Sequence, residues 1–255
     1  MNSIQANDFP DPKLAPDDTD LIAISAYDLT GIPLEINPKI IWPKLTKFGS
    51  NWNSDTLLTA YSLGLFPMPY EIDGSESAIG WWSPKSRAIF YPNQIRISTS
   101  LKSAMKKFRV TVDKDFEAVI RACGNPQRES GWINEQVISA FVSLHNSGLA
   151  HSIEVWDESD QLAGGLYGLE LGGVFAGESM FHVAKNASKV ALAHLGQLLN
   201  DGTGRIIDTQ WMTSHLESMG AKPIERAEYC RNLPKLLDIP PAISRLPGVP
   251  NLDVS

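Results

Sequence analysis

Residues 151–181 read HSIEVWDESDQLAGGLYGLELGGVFAGESMF. The runs 151–156, 161–171 and 174–181 each carry β-branched, aromatic and aliphatic residues at a period near two, the signature of a strand. Asp157–Asp160 supplies one polar turn and Gly172-Gly173 the other, since glycine accepts positive φ without a Cβ clash. Connections this short return the chain antiparallel, so the stretch predicts a three-stranded meander. A carboxylate inside an apolar strand costs free energy unless it is paired, hydrogen-bonded or used, which singles out Glu178 in the third run.

Downstream, ASKVALAHLGQLL from Asn186 places Val190, Ala191, Leu195, Leu198 and Leu199 at helical spacing. A strand GRIIDTQ, a short helix or turn at SHLESMG, a strand AKPIERA and a helical piece from Glu228 follow. Meander, helix, strand, helix is the connectivity of the second half of an acyltransferase-type α+β sheet. The first half is mostly helical. TLLTAYSL is capped by Ser54 or Asp55 and closed by Gly64, while Pro67 and Pro69 exclude FPMPY from a helix interior. LKSAMKKF starts at Ser98 or Ser100, DFEAVIRAC at Asp113 or Asp115, and a stripe of Val137, Ile138, Phe141, Val142 and Leu144 ends at Gly148. The expected organisation is a disordered tail over 1–20, a small N-terminal domain over 21–97 with an irregular, proline-broken insert near 31–53, and a larger domain over 98–255.

With 255 residues, 43% of them hydrophobic, the chain can bury a full core. Its net charge of −7 argues against a general positive field for nucleic acid, yet Lys85–Gly131 holds ten bases against four acids. Two distant cysteines make no disulfide framework or cysteine metal site. The N-terminus lacks a basic start with an apolar run, and no stretch approaches about 18 apolar residues, so a cytoplasmic protein without membrane attachment is expected.

Asp208 and Gln210 stand two apart on the strand GRIIDTQ, so alternation sends both side chains to one face and Thr209 to the other. A capping Asp208 and a solvated Gln210 are the plain structural alternative. Glu178 on a neighbouring strand tips the balance, because two carboxylates and an amide would floor a polar site. In Trp81-Trp82-Ser83-Pro84, adjacent tryptophans face opposite ways, one to the core and one toward a flat ligand, or both to the core. Trp132 shares the ambiguity. The five histidines have no metal spacing, and GGLYG and GTGR lack the frames of nucleotide-binding loops, so no cofactor and no metal are expected. A reaction without a cofactor starts from an activated substrate.

The segments WWSPKSRAIFYP, FEAVIRACGNP, SGWINEQVISAF, LHNSGLAHSIEVW, LAGGLYGLELGGVFAGESMF, NASKVALAHL, IIDTQ and HLESMGAKPIER occur in order, and together the chain from Asp55 to Tyr229 resembles the leucyl/phenylalanyl-tRNA–protein transferase family. The resemblance implies a small N-terminal domain and a GNAT-like (acetyltransferase-like) C-terminal domain with a mostly antiparallel sheet. It implies transfer of Leu or Phe, with Met a further candidate, from aminoacyl-tRNA to the N-terminal α-amine of proteins beginning with Arg or Lys, marking them for degradation. It implies no need of a cofactor, and a monomer is expected. Carried over by position, Gln210 positions the amine with Asp208 orienting it, and Glu178 positions the ester or the acceptor. Leu166, Phe175, Met180, Leu192, Leu195 and Ile207 would form the aminoacyl pocket, although alternation puts Ile206 rather than Ile207 on the face of Asp208. Trp81 or Trp82, and Trp132, would stack on the terminal adenosine, with Arg87, Lys102, Lys106 and Lys107 on tRNA phosphates. Three departures stand out: DLIAISAYDL lacks the glycines of the family's N-terminal segment, FPMP replaces FPW, and Asp208-Thr209-Gln210 replaces D-C-Q. The rivals are a coenzyme A-dependent N-acetyltransferase, which would need a phosphate-cradling glycine loop that VAKNASK lacks, and a non-catalytic tRNA- or peptide-binding derivative.

Overall fold

The computed structural model describes residues 20–26, 52–72, 75–125 and 132–243, the side chains of 21–26, 71–72 and 75–78 excepted. The expected tail and insert lie outside the described residues, apart from Asp20, Trp52 and Asn53. In chain order the elements are β1 (Leu21–Ala26), α1 (Ser54–Ser62), β2 (Phe66–Ile72), β3 (Ser75–Trp82), β4 (Ser86–Phe90), α2 (Thr99–Met105), β5 (Arg109–Val112), α3 (Phe116–Cys123), α4 (Glu135–Asn146), β6 (Ala150–Trp156), β7 (Leu162–Leu171), β8 (Val174–His182), α5 (Ala187–Leu199), β9 (Ile206–Asp208), α6 (Ser214–Ser218), β10 (Lys222–Glu225) and α7 (Arg226–Leu237). None of the described helices is long and apolar enough to cross a membrane.

The chain divides into two compact units, Met1–Arg87 with Ile224–Pro234, and Ala88–Pro223 with Lys235–Ser255. The first therefore ends at Arg87 rather than at 97, because Ile89 and Phe90 already pair with Asp208 and Ile207 of the large sheet. It also takes in part of α7, whose Tyr229 and Cys230 pack beside Gly64.

The small unit holds an antiparallel sheet of order β1-β3-β2. The segment FPMPY is its edge strand β2, a place where Pro67 and Pro69 forfeit no ladder bond that the sheet needs. Asn53, not Ser54 or Asp55, caps α1 by accepting from the Thr56 N–H. Gly64 ends the helix at φ +85°, a conformation that a Cβ would strain. Arg87 is only 1% exposed. Its Nη1 donates to the Gly64 carbonyl at 2.5 Å, and its guanidinium lies 5.2 Å and 4.2 Å from the Phe66 and Tyr229 ring centres.

The second sheet has the order β10-β4-β9-β8-β7-β6-β5. The meander is β6-β7-β8 as expected, and β5 and β4 join antiparallel to β6 and β9. β8 and β9 are parallel, and α5 provides the crossover that such a pair requires. Neighbouring residues of β7 show both faces covered. Leu166 belongs to the core with Leu192 and Leu195 of α5, whereas Tyr167 meets Phe116 of α3 and Phe141 of α4 edge-on. Burial on two faces explains why β6 and β7 carry apolar residues on both faces, and it leaves His151, Ser152, Glu154 and Glu170 buried among them.

Candidate functional site

The parallel pairing of β8 and β9 is brief: Val174 with Ile206, Phe175 with Ile207 and Ala176 with Asp208. Beyond that point β9 stops while β8 continues to His182. On its other side β8 pairs Gly177 with Gly168 and Ser179 with Tyr167, which leaves Glu178 as the extra residue of a β-bulge. A bulge reverses the alternation beyond it. Phe175 and Met180, an odd number of positions apart, therefore line the same cavity. Gly168 permits this irregularity, since a Cβ there would come within 2.5 Å of the Phe175 ring.

That cavity has a volume of about 160 Å³. Leu166, Phe175, Met180, Leu192, Leu195 and Ile207, the six apolar positions singled out above, all line it, drawn from β7, β8, α5 and β9. Leu216 of α6 adds a seventh wall. Its polar residues are Glu178 and Ser179 of β8 with Thr209 and Gln210 just past β9. An apolar chamber with a few convergent polar groups is the usual form of a small-ligand site.

The end of β9 corrects the alternation argument. Ile207 and Thr209 face the cavity, Asp208 does not, and Gln210 returns to it because its φ is +58°. The left-handed turn is fixed by three bonds: the Gln210 N–H donates to Asp208 Oδ1 at 3.0 Å, the Ala88 N–H donates to the Gln210 carbonyl at 2.9 Å, and the Thr209 N–H donates to the Ala88 carbonyl at 2.9 Å. Asp208, wholly buried, thus orients Gln210 through the backbone rather than by facing the same reactant. Gln210 Nε2 donates to Glu178 Oε1 over 3.4 Å, joining the two polar side chains at the cavity wall. Burial, then the charge of Glu178, hold the Tyr167 hydroxyl well above its ordinary pKa, so it stays protonated behind the sheet.

The residues assigned to nucleic acid fare unevenly. Trp81, 1% exposed, and Arg87 are buried within the small unit, so neither has the surface that stacking on adenosine or holding a phosphate requires. Trp82 is half-buried in that same unit, and Trp132 is half-buried in the large one. Lys102, Lys106 and Lys107 are exposed on and just after α2, and Lys102 and Lys106, four apart, share a face. The surrounding basic excess is smaller than a count suggests. Arg109 pairs with Asp160 at 2.5 Å, and Arg121 with Glu117 and Glu135 at 2.8 and 2.9 Å. These partners lower the Asp160 carboxyl and raise the Arg121 guanidinium from their ordinary values.

Sequence reasoning missed Thr209, Ser179, Gly177 and Leu216. One signal for the bulge was present: apolar Phe175 and Met180 flank a carboxylate at a spacing no regular strand can put on one face. Also missed was a second polar cluster, in which His151 Nδ1 lies 2.7 Å from Asp113 Oδ2 and Glu170 accepts the N–H groups of Ala242 and Ile243 at 2.6 and 3.1 Å. Among the described residues no group of His, Cys, Asp and Glu is placed to hold a metal ion.

The family model for leucyl/phenylalanyl-tRNA protein transferase matches residues 89–234, and that for its N-terminal domain matches 53–85. A leucyl/phenylalanyl-tRNA–protein transferase of Shewanella sp. strain ANA-3 is 44% identical over 200 residues, 77% of this chain and 83% of that one. The protein of the same name from Shewanella oneidensis is 46% identical over 198 residues, 76% and 82% of the two chains, and that of Pseudomonas fluorescens is 44% identical over 196, 75% and 84%. Among solved structures, a GCN5-related N-acetyltransferase from Kribbella flavida aligns with a TM-score of 0.38 at 8% identity, over 65% of this chain and 59% of that chain. With both family models matched in order and relatives this similar over most of its length, the chain belongs to the leucyl/phenylalanyl-tRNA protein transferase family of aminoacyltransferases.

Proposed function

We propose that the protein transfers leucine or phenylalanine from aminoacyl-tRNA to the N-terminal α-amine of acceptor proteins that begin with Arg or Lys, so marking them for degradation. It would act as a monomer in the cytoplasm, where charged tRNA is found. The observation that carries this reading is the apolar cavity bounded by Glu178 and Gln210. A dry cavity of about 150 Å³ accepts a benzene ring, so about 160 Å³ suits a leucyl or benzyl side chain. Met180 in its wall is flexible enough to adjust to either.

With the side chain seated, the ester carbonyl would lie at the polar wall. An α-amine has a pKa of about 7.7–8.0, so a usable fraction is neutral near pH 7. Its nitrogen attacks the carbonyl carbon, the bond from that carbon to the ribose oxygen breaks, and one amine proton ends on the departing ribose oxygen. Gln210 gives its N–H to Glu178 and keeps its side-chain carbonyl to accept from the amine. Fixing both before the amine arrives removes reorganisation from the barrier. Glu178 would also favour the positive charge that develops on the attacking nitrogen. Trp132 is the candidate surface for the adenine, and Lys102, Lys106 and Lys107 are candidates for phosphates farther along the tRNA. The test is transfer of labelled leucine from charged tRNA to peptides differing only in the first residue. Transfer to Arg- and Lys-initiated peptides over an Ala-initiated one is expected, and equal transfer to all three would refute the acceptor assignment.

A further inference from the structure

A second cavity lies at the N-terminus of α5 and shares Met180 with the first. Its other walls include His182, Lys185, Ser188, Lys189 and His215, and no carboxylate lines it. The caps of five other helices show what is different here. Asn53, Ser98, Asp115, Asn134 and Thr213 each accept a backbone N–H at the start of α1, α2, α3, α4 and α6. Asn186 at the head of α5 has φ +70° and makes no such bond, and the Ser188 and Lys189 amides have no acceptor among the described residues. Unsatisfied amides at the end of a 13-residue helix favour an anion. The second observation is Ser188 itself, which lines the cavity, is only 5% exposed, and has no hydrogen-bond partner for its hydroxyl among the described residues. Burial, then the charges of Lys189 and His182, hold the His215 imidazole below its ordinary value, as expected of cations gathered without a counter-charge.

We propose that this cavity binds an RNA phosphate, the linkage on the 5′ side of the donor's terminal adenosine, through Lys185, Lys189, the Ser188 hydroxyl and the first amides of α5. The proposal rests on aminoacyl-tRNA being the donor. That phosphate is carried by the same ribose as the aminoacyl ester, and so belongs beside the aminoacyl cavity, with Met180 between them. The left-handed Asn186 does here what glycine does in other phosphate loops, which is why the sequence VAKNASK does not look like one.

The test is equilibrium binding of 3′-leucylamido-3′-deoxyadenosine, which has no phosphate, of its cytidylyl-(3′→5′) form, which has one, and of coenzyme A. Wild type is compared with Lys185→Ala/Lys189→Ala and with Ser188→Ala. The cytidylyl form should bind wild type about tenfold more tightly than the nucleoside, and the double variant should lose that advantage while binding the nucleoside as before. Ser188→Ala should lose about threefold on the cytidylyl form alone. Equal loss on nucleoside and dinucleotide would mean a structural role and would overturn the site, as would no loss on either. Coenzyme A binding that depends on the two lysines, with the dinucleotide indifferent to them, would replace RNA as the source of the phosphate. If the wild type binds the dinucleotide as described yet transfers no leucine, the proposed reaction falls and the phosphate site stands.

Discussion

Two carboxylates of the large sheet, Glu154 on β6 and Glu178 on β8, are handled differently. On β6, Glu154 is fully buried yet crowded with donors: the hydroxyls of Ser152 and Thr111 and the Lys114 and Asp115 amides. On β8, Glu178 sits on a bulge at the wall of a cavity and receives a 3.4 Å bond from Gln210. An acid in an apolar strand is therefore not by itself a sign of chemistry. What separates the two is where the backbone irregularity aims the group and whether a void lies beside it.

Removing a cavity-wall acid and removing a buried acid crowded with donors should separate activity from stability. The largest effect is expected from Gln210→Ala and Glu178→Ala, each lowering kcat for leucyl transfer by about 100-fold or more, the scale for removing one preorganised polar group, with the melting temperature nearly kept. A collapse of the melting temperature instead would make Glu178 a structural acid. Glu170→Ala should do the reverse, since it strips the Ala242 and Ile243 amides of their acceptor. A loss of about 1–3 kcal/mol in denaturant unfolding is expected, with kcat little changed at low temperature. Met180→Ala should widen the cavity and shift kcat/KM toward phenylalanine over leucine by about tenfold, within the range that one or two methylenes confer.

The smallest effect concerns pH. Burial is the largest influence on Glu154 and raises its carboxyl, against the hydrogen bonds of Ser152 and Thr111. Between the unfolded carboxylate value, about 4.3, and the raised folded one, the native state holds the extra proton, so stability falls as pH rises through that window. Glu154→Gln should flatten the slope, and an unchanged slope in urea midpoints across pH would show that another group produces it.

The sequence exposed the apolar half of the site more fully than the polar half. Leu166, Leu192 and Leu195 follow from regular alternation and helical spacing, so their faces were readable. The expectation that Asp208 and Gln210 share a face failed because the left-handed Gln210, held by backbone bonds to Ala88, breaks the alternation of β9, as the bulge at Glu178 breaks that of β8. Thr209 shows the consequence: the position at which this chain departs from D-C-Q lines the cavity rather than facing away. Arg87 failed for a similar reason, since its aromatic partners Phe66 and Tyr229 come from opposite ends of the chain. The excess of bases over 85–131 misled because Asp160, the partner of Arg109, lies outside that segment.

The seat of the aminoacyl group is tested most directly by a crystal structure with 3′-leucylamido-3′-deoxyadenosine. The leucyl side chain is expected against Phe175, Met180 and Ile207, and its carbonyl within hydrogen-bond reach of the Glu178–Gln210 pair. A leucyl group seated in any other cavity, with the space bounded by Gln210 left empty, would contradict it.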